Sequence, residues 1–232
     1  MEYMQWCIDM RMEPVLAVWA GLSLDANVVP GESAAPYIQD ILNELEFLLG
    51  DASTPYGSLR AKYGRIEPYT LRYIEIGNED NLSGGCSTYA SRFTSIYSYV
   101  HHLYPSLILI ASTGQATCLP ESFPAGAYMD IHHYLTPDQF VGLFNEFDHT
   151  PRHSNFGVIV GEYASLQNNG GTVKQWQDMQ GSCGEAVYMI GLERNSDVVK
   201  MASYAPLLEH YGMAQWSVSD RDIPDAADCV KY

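Results

Sequence analysis

The amino-acid sequence predicts an α/β fold built on a parallel sheet, and two observations carry that prediction. Short apolar runs of strand length recur along the chain, each closed by glycine or polar residues, and segments with helical apolar spacing lie between them. Alternation of this kind sets strands in one direction, wound either into a barrel or into a doubly wound sheet with helices on both faces. No G-x-G-x-x-G follows a strand run, which weakens the nucleotide-binding version. The length of 232 residues is close to the roughly 250 of a (β/α)8 barrel.

The first run, Pro14 to Gly21 (PVLAVWAG), is apolar throughout and closed by glycine, as expected of a strand buried on both faces. Leu71 to Gly77 (LRYIEIG), Leu107 to Ser112 (LILIAS), Tyr128 to His133 (YMDIHH) and Phe156 to Gly161 (FGVIVG) share its strand length and its β-branched or aromatic content. Between the first two, Tyr37, Ile38, Ile41, Leu42, Leu45, Leu48 and Leu49 form one helical face, with Asp40, Asn43, Glu44 and Glu46 largely opposite. Tyr89, Phe93, Ile96, Tyr97 and Val100 repeat the pattern before the third run, and Phe140, Leu143, Phe144 and Phe147 repeat it more weakly before the last.

Composition narrows the function classes. Apolar residues make up 47% of the chain and charged residues 17%, which excludes a disordered polymer. No run approaches the ~18 uninterrupted apolar residues of a membrane helix, so no membrane partner is expected. The formal charge of −16, with only 12 Lys and Arg, argues against nucleic acid, whose phosphates demand clustered cations. A neutral or weakly charged ligand fits better. Cys7, Cys86, Cys118, Cys183 and Cys229 are scattered without a C-x-x-C pair, which leaves a zinc or dithiol site unsupported and the redox compartment open. The opening residues, Met1 to Trp6, lack the basic and apolar pattern of a signal peptide.

In parallel barrels the chemistry gathers at the C-terminal ends of the strands. Here those ends read Asn78-Glu79-Asp80, Ser112-Thr113, His132-His133-Tyr134 and Glu162-Tyr163. Two carboxylates, an amide, imidazoles and a phenol are the components of a sugar site, although ordinary loop chemistry also makes polar rims. Glycoside cleavage needs one carboxyl group to protonate the leaving oxygen and a second across the anomeric carbon. Glu79 and Glu162 are the candidate pair: each directly follows a strand run and a glycine, in Ile76-Gly77-Asn78-Glu79 and Val160-Gly161-Glu162. Glu75, inside its strand, reads as a structural or supporting carboxylate.

The stretch Tyr73-Ile74-Glu75-Ile76-Gly77-Asn78-Glu79-Asp80-Asn81, together with Gly161-Glu162-Tyr163-Ala164, resembles the two catalytic strands of the fungal α-L-arabinofuranosidases of glycoside hydrolase family 51. The segments Glu13 to Gly21, Leu48 to Ala52 and Glu185 to Asn195 resemble that family too, so the likeness runs from about Met1 to Trp216. It implies a (β/α)8 TIM barrel with the acid/base after strand four and the nucleophile after strand seven, roles that fall on Glu79 and Glu162. Counting the run at Val15 as strand three puts both where the family has them. The resemblance also implies that Asn78 holds the sugar 2-hydroxyl, and that His132 and Tyr134 match an H-x-Y that orients nucleophile and sugar. It implies release of α-L-arabinofuranosyl residues from arabinose-containing oligo- or polysaccharides, as in hemicellulose degradation, by an extracellular enzyme that needs no cofactor. Other retaining glycosidases of related barrels, such as xylanases, cellulases or galactosidases, and a non-catalytic carbohydrate-binding protein, are the alternatives.

Each assignment has a plainer counterpart. Asn78 and Asp80 are also good turn formers. His132 and His133 are neighbours on one strand, so only one faces the site; the family pattern selects His132 and leaves His133 to the wall. The histidines and carboxylates lack H-E-x-x-H or H-x-H spacing, so no metal is expected. Trp19 at a strand end is a candidate for stacking against a sugar, or else plain packing. Trp6 and Trp176, in helical stretches, are expected in the core. The sequon Asn81-Leu82-Ser83 lies beside Glu79 and is expected to be unmodified.

Measured against the family pattern, the first two strands, their sugar-contacting Glu and Asn, and a β-sandwich are expected to be missing. Residues 1–216 then form a partial barrel, with strands three to seven or eight. Ala214-Gln215-Trp216 resembles the family's approach to strand eight, and 217–232 are expected to form a divergent tail. Open edges in such an arc predict a chain that is weakly stable on its own.

Overall fold

The computed structural model describes residues 1–152, 156–174 and 177–207. Trp176, the Ala214–Trp216 segment, Cys229 and the expected tail at 217–232 lie outside the described residues. The elements run α1 (Glu2–Asp9), β1 (Val15–Val18), α2 (Ala35–Leu49), α3 (Pro55–Lys62), β2 (Tyr73–Ile76), α4 (Cys86–Leu103), β3 (Ile108–Ala111), β4 (Tyr128–Tyr134), α5 (Pro137–Gly142), β5 (Gly157–Ala164), α6 (Met179–Arg194) and β6 (Val199–Tyr204). The fold is therefore α/β, as the alternation predicts. The chain divides into two compact units, Met1–Asp130 and Ile131–Tyr232, with the boundary inside β4. No helix among the described residues is long and apolar enough to cross a membrane.

In the first unit the strands stand in chain order, with β1 parallel to β2, β2 to β3 and β3 to the start of β4. Ile74 and Ile76 of β2 and Ile110 and Ala111 of β3 are fully buried, as the near-continuous apolar runs require. The α2 helix turns Ile38, Ile41, Leu45 and Leu48 inward, and α4 buries Tyr89, Arg92, Phe93, Ile96 and Val100. Both faces recur at three- and four-residue spacing, which is the amphipathic period of a helix covering a sheet. Arg60 of α3, fully buried, donates to the carbonyls of Phe47 and Leu48 and so satisfies acceptors that the last turn of α2 leaves open. Trp6 departs from expectation. The eight-residue α1 buries Met4 and Cys7, and Trp6 projects from the other side at 52% exposure. In so short a helix only one narrow stripe meets the core.

In the second unit β5 is parallel to β6, and Phe140, Phe147, Val158, Val160, Tyr188 and Leu192 form its core. A capping box at Thr136 and Gln139 opens α5, and Asp178 caps α6 by accepting from the Gly181 amide at 2.6 Å. The α6 helix lies against α5 and the turn after it through glycines. A Cβ at Gly184 would stand 2.7 Å from the Pro137 carbonyl, and one at Gly191 2.3 Å from that of Phe144. The sixth strand, β6, is not among the runs read from the sequence. Only Val199 in it is buried, so it lacks the continuous apolar character of the other five.

Candidate active site

The first unit builds one wall of polar groups. Beyond β2 the backbone continues through Gly77, whose amide donates to Val18 O at 2.8 Å, and then turns sharply. Gly77 has φ +98° and Glu79 φ +49°, so a glutamate occupies the left-handed region that ordinarily favours glycine. At Gly77 a Cβ would fall 1.8 Å from Asp80 Oδ2, so the turn closes only around glycine. The turn delivers Asn78 and Glu79 to an open groove of about 880 Å³, also lined by Trp19, Asp25, Asn27 and Leu82. Trp19 stands in that groove at 39% exposure, its indole N–H bonded to Leu22 O at 2.7 Å and its ring edge-on to Tyr37 at 4.6 Å. It is anchored at one end and exposed at the other.

Asp80 is more than a turn former. It is almost wholly buried, and its carboxylate takes Arg92 Nη1 at 2.5 Å, Ser112 Oγ at 2.9 Å and the Asn78 amide at 3.1 Å. Tyr89, fully buried beneath, donates to Ile76 O and accepts from the Ser112 amide. Burial pushes the Tyr89 hydroxyl far above the usual phenol range, so it stays a neutral donor. The sequence puts Ser112 on the polar rim without a role and gives Arg92 no place in the site. The available signal for Arg92 was a cation on the apolar face of a helix, beside Phe93.

Glu75 sits inside β2, and its carboxylate lies within 4.8 Å of that of buried Asp130, in keeping with a supporting role.

In the second unit, Glu162 near the end of β5 accepts a hydrogen bond from the Tyr134 hydroxyl of β4. His132 Nδ1 lies 3.5 Å from the same carboxylate, with Glu162 31% exposed and His132 12%. The three residues selected from the sequence are thus brought together. His133 points to the opposite side, as strand alternation demands, with Nε2 3.0 Å from Glu146 and its ring edge-on to Tyr188. Tyr188 also donates to Glu146, and burial, reinforced by that carboxylate, holds its hydroxyl far above the ordinary range. This network fixes the back of β4 while the front presents His132 and Tyr134. Glu185 of α6, buried, accepts from the Ser165 amide at 2.6 Å and pins the chain just after β5.

Groups of this kind, a carboxylate oriented by a phenol and an imidazole, and a second carboxyl in an open groove beside an indole, are equipped for acid/base and nucleophilic work on a sugar. Comparison with known proteins points the same way. The sequence model of the α-L-arabinofuranosidase 1 domain matches residues 1–152, and that of the α-L-arabinofuranosidase C-terminal domain matches 161–223. The α-L-arabinofuranosidases A of Aspergillus kawachii and Aspergillus niger are each 51% identical over 219 residues, 93% of this chain. The chain spans 34% of the length of each. An arabinose-bound MgGH51 α-L-arabinofuranosidase superposes with a TM-score of 0.86 at 36% identity, covering 93% of this chain and 35% of that one. The α-L-arabinofuranosidase of Thermotoga maritima, at 18% identity and a TM-score of 0.63 over 88% of this chain and 45% of that one, shares the fold.

Proposed function

The chain belongs to the α-L-arabinofuranosidases of glycoside hydrolase family 51, and from that premise we propose that it is catalytic machinery for releasing terminal non-reducing α-L-arabinofuranosyl residues with retention. Glu162 is the nucleophile and Glu79 the acid/base. The observation that carries the reading is the Tyr134 hydroxyl bonded to the Glu162 carboxylate, with the His132 ring beside it. These groups hold one carboxylate in a fixed direction while leaving it partly open, as attack on an anomeric carbon requires.

In the first half-reaction Glu162 bonds to the anomeric carbon while Glu79 gives its proton to the departing glycosidic oxygen. In the second, Glu79 takes a proton from water, and the resulting hydroxide equivalent displaces Glu162. Asn78 binds the 2-hydroxyl, a contact that tightens as positive charge grows on the ring. His132 and Tyr134 orient the nucleophile, and Trp19 offers its exposed ring to the sugar or its aglycone.

The six strands correspond in this reading to strands three to eight of a (β/α)8 barrel, with β2 and β5 as strands four and seven and β6, at Val199–Tyr204, as strand eight in place of the later position read from Ala214–Trp216. The substrate class is arabinose-containing oligo- or polysaccharide. The Cys86–Cys118 disulfide supports an oxidising, extracellular setting. Nitrophenyl α-L-arabinofuranoside, β-D-xyloside and β-D-galactoside, supplied separately, test the assignment. Hydrolysis of the arabinofuranoside at least about tenfold faster than the others is expected. Preference for either pyranoside rejects it.

A further inference from the structure

We propose that Arg92 and Asp80 are a positioning pair, which holds Glu79 and Asn78 in register with the Trp19 side of the groove so that the leaving oxygen is protonated along one line. The inference rests on the acid/base reading of Glu79 and deepens it. Arg92 is fully buried, and its guanidinium spends its donors on fixed backbone and side-chain oxygens rather than on solvent. Nη1 donates to Asp80 Oδ1 at 2.5 Å and to Ala20 O at 2.6 Å, Nη2 to Gly85 O at 2.9 Å, and Nε to Thr88 Oγ1 at 3.1 Å. One side chain of α4 therefore ties the residue next to Trp19, the residue next to Glu79 and the far end of the loop.

Asp80 completes the link. Its Oδ2 reaches back over Gly77 to accept the Asn78 amide and the Ser112 hydroxyl, so Glu79 is bracketed between the residue that carries the carboxylate and the amide that the carboxylate holds. Glu79 occupies the left-handed region, a conformation that persists when its surroundings over-determine it. A buried ion pair by itself is weak evidence for stability, because well-packed apolar side chains often replace one without loss. Apolar side chains have no donors for Ala20 O and Gly85 O and no acceptor for the Asn78 amide. What this pair adds is direction, delivered to the backbone on both sides of Glu79.

The test compares Asp80→Asn and Arg92→Lys with the unsubstituted chain on two arabinofuranosides, one with a nitrophenolate leaving group and one with an alkoxide. Misdirection of the acid slows departure of the alkoxide, which needs its proton, far more than departure of nitrophenolate, which does not. The expected loss in kcat/KM on the alkyl glycoside exceeds that on the nitrophenyl glycoside by about tenfold or more, and Glu79→Ala shows the same selectivity enlarged. Equal losses on both substrates, or no loss on either, overturn the positioning role. Arg92→Lys, which keeps a cation beside Asp80 but not the fork that reaches Ala20 O and Gly85 O together, decides the matter if Asp80→Asn does not fold. Should Glu79→Ala show no leaving-group selectivity, the acid/base reading has failed separately, and amide hydrogen exchange then judges the pair alone. Faster exchange in Arg92→Lys confined to residues 77–82 supports it as the anchor of the turn; unchanged exchange there, or loss spread over β1 to β3, overturns it.

Discussion

The Tyr134 hydroxyl donates a hydrogen bond to the Glu162 carboxylate, so the phenol at the end of β4 sets the direction of the carboxylate on β5. Tyr134→Phe keeps the ring and removes only that donor. A hydrogen bond to a charged group contributes about 1.5–3 kcal/mol, so kcat/KM on nitrophenyl arabinofuranoside is expected to fall about 10- to 150-fold. The melting temperature should move little. Activity within twofold of the parent would show that His132 alone orients the nucleophile.

The two carboxylates should fail in different ways. Glu162→Ala abolishes turnover of every substrate, because no glycosyl-enzyme forms. Glu79→Ala keeps cleavage of activated aryl glycosides and loses unactivated ones, and azide restores part of its rate because the anion attacks the anomeric carbon without base assistance and displaces Glu162 as a glycosyl azide. Steady-state kinetics on both substrate classes check this, and the reverse pattern would exchange the two roles.

Much of this site was legible because its parts sit at strand ends. β1 to β5 announce themselves as apolar runs, and Asn78, Glu79, His132, Tyr134 and Glu162 follow or close them. Period-two geometry sets His132 and His133 on opposite sides of the strand, and the family resemblance selects His132 for the site. What stayed hidden depends on distance in the sequence or on a mixed pattern. Arg92 and Ser112 meet Asp80 from 12 and 32 residues away. β6 alternates too loosely to stand out. α3 is short and opens with Pro55, and Gly57 within it is required by the Asp51 carbonyl, which would lie 2.0 Å from a Cβ. Trp6 is exposed against expectation because a helical residue's burial depends on which stripe meets the sheet.

Cys86 and Cys118 form a disulfide between the first residue of α4 and the segment after β3, closing a separation of 32 residues. Neither spacing nor composition revealed it. Loop-entropy reasoning assigns such a crosslink about 3–4 kcal/mol. Cys86→Ser should therefore lower the melting temperature by several degrees, and dithiothreitol should do the same to the parent but not to the variant. Identical melting curves for all three would mean that the thiols are unpaired in solution.

Acid should loosen α6 at both ends. The Asn195 side-chain amide, with Arg194, holds Asp148 below the ordinary carboxylate value of 3.8, and the Gly181 amide, with Lys174, does the same for Asp178. A depressed folded-state value means that the stabilisation is complete above about pH 3.8 and disappears as pH falls through the lower folded value. Denaturant midpoints measured from pH 6 downward should drop below that point. Asp148→Asn and Asp178→Asn should each flatten the drop, and an unaltered acid limb in both would show that other carboxylates govern it.

The stereochemistry of the first product tests the double displacement most directly. Proton NMR of nitrophenyl α-L-arabinofuranoside during its hydrolysis records the anomer released before mutarotation. With Glu162 as nucleophile and Glu79 as acid/base, the first signal to grow is that of α-L-arabinofuranose, and the β-anomer follows only as mutarotation proceeds. Initial appearance of the β-anomer would mean a single inverting displacement by water, and neither glutamate could then keep the role given to it here.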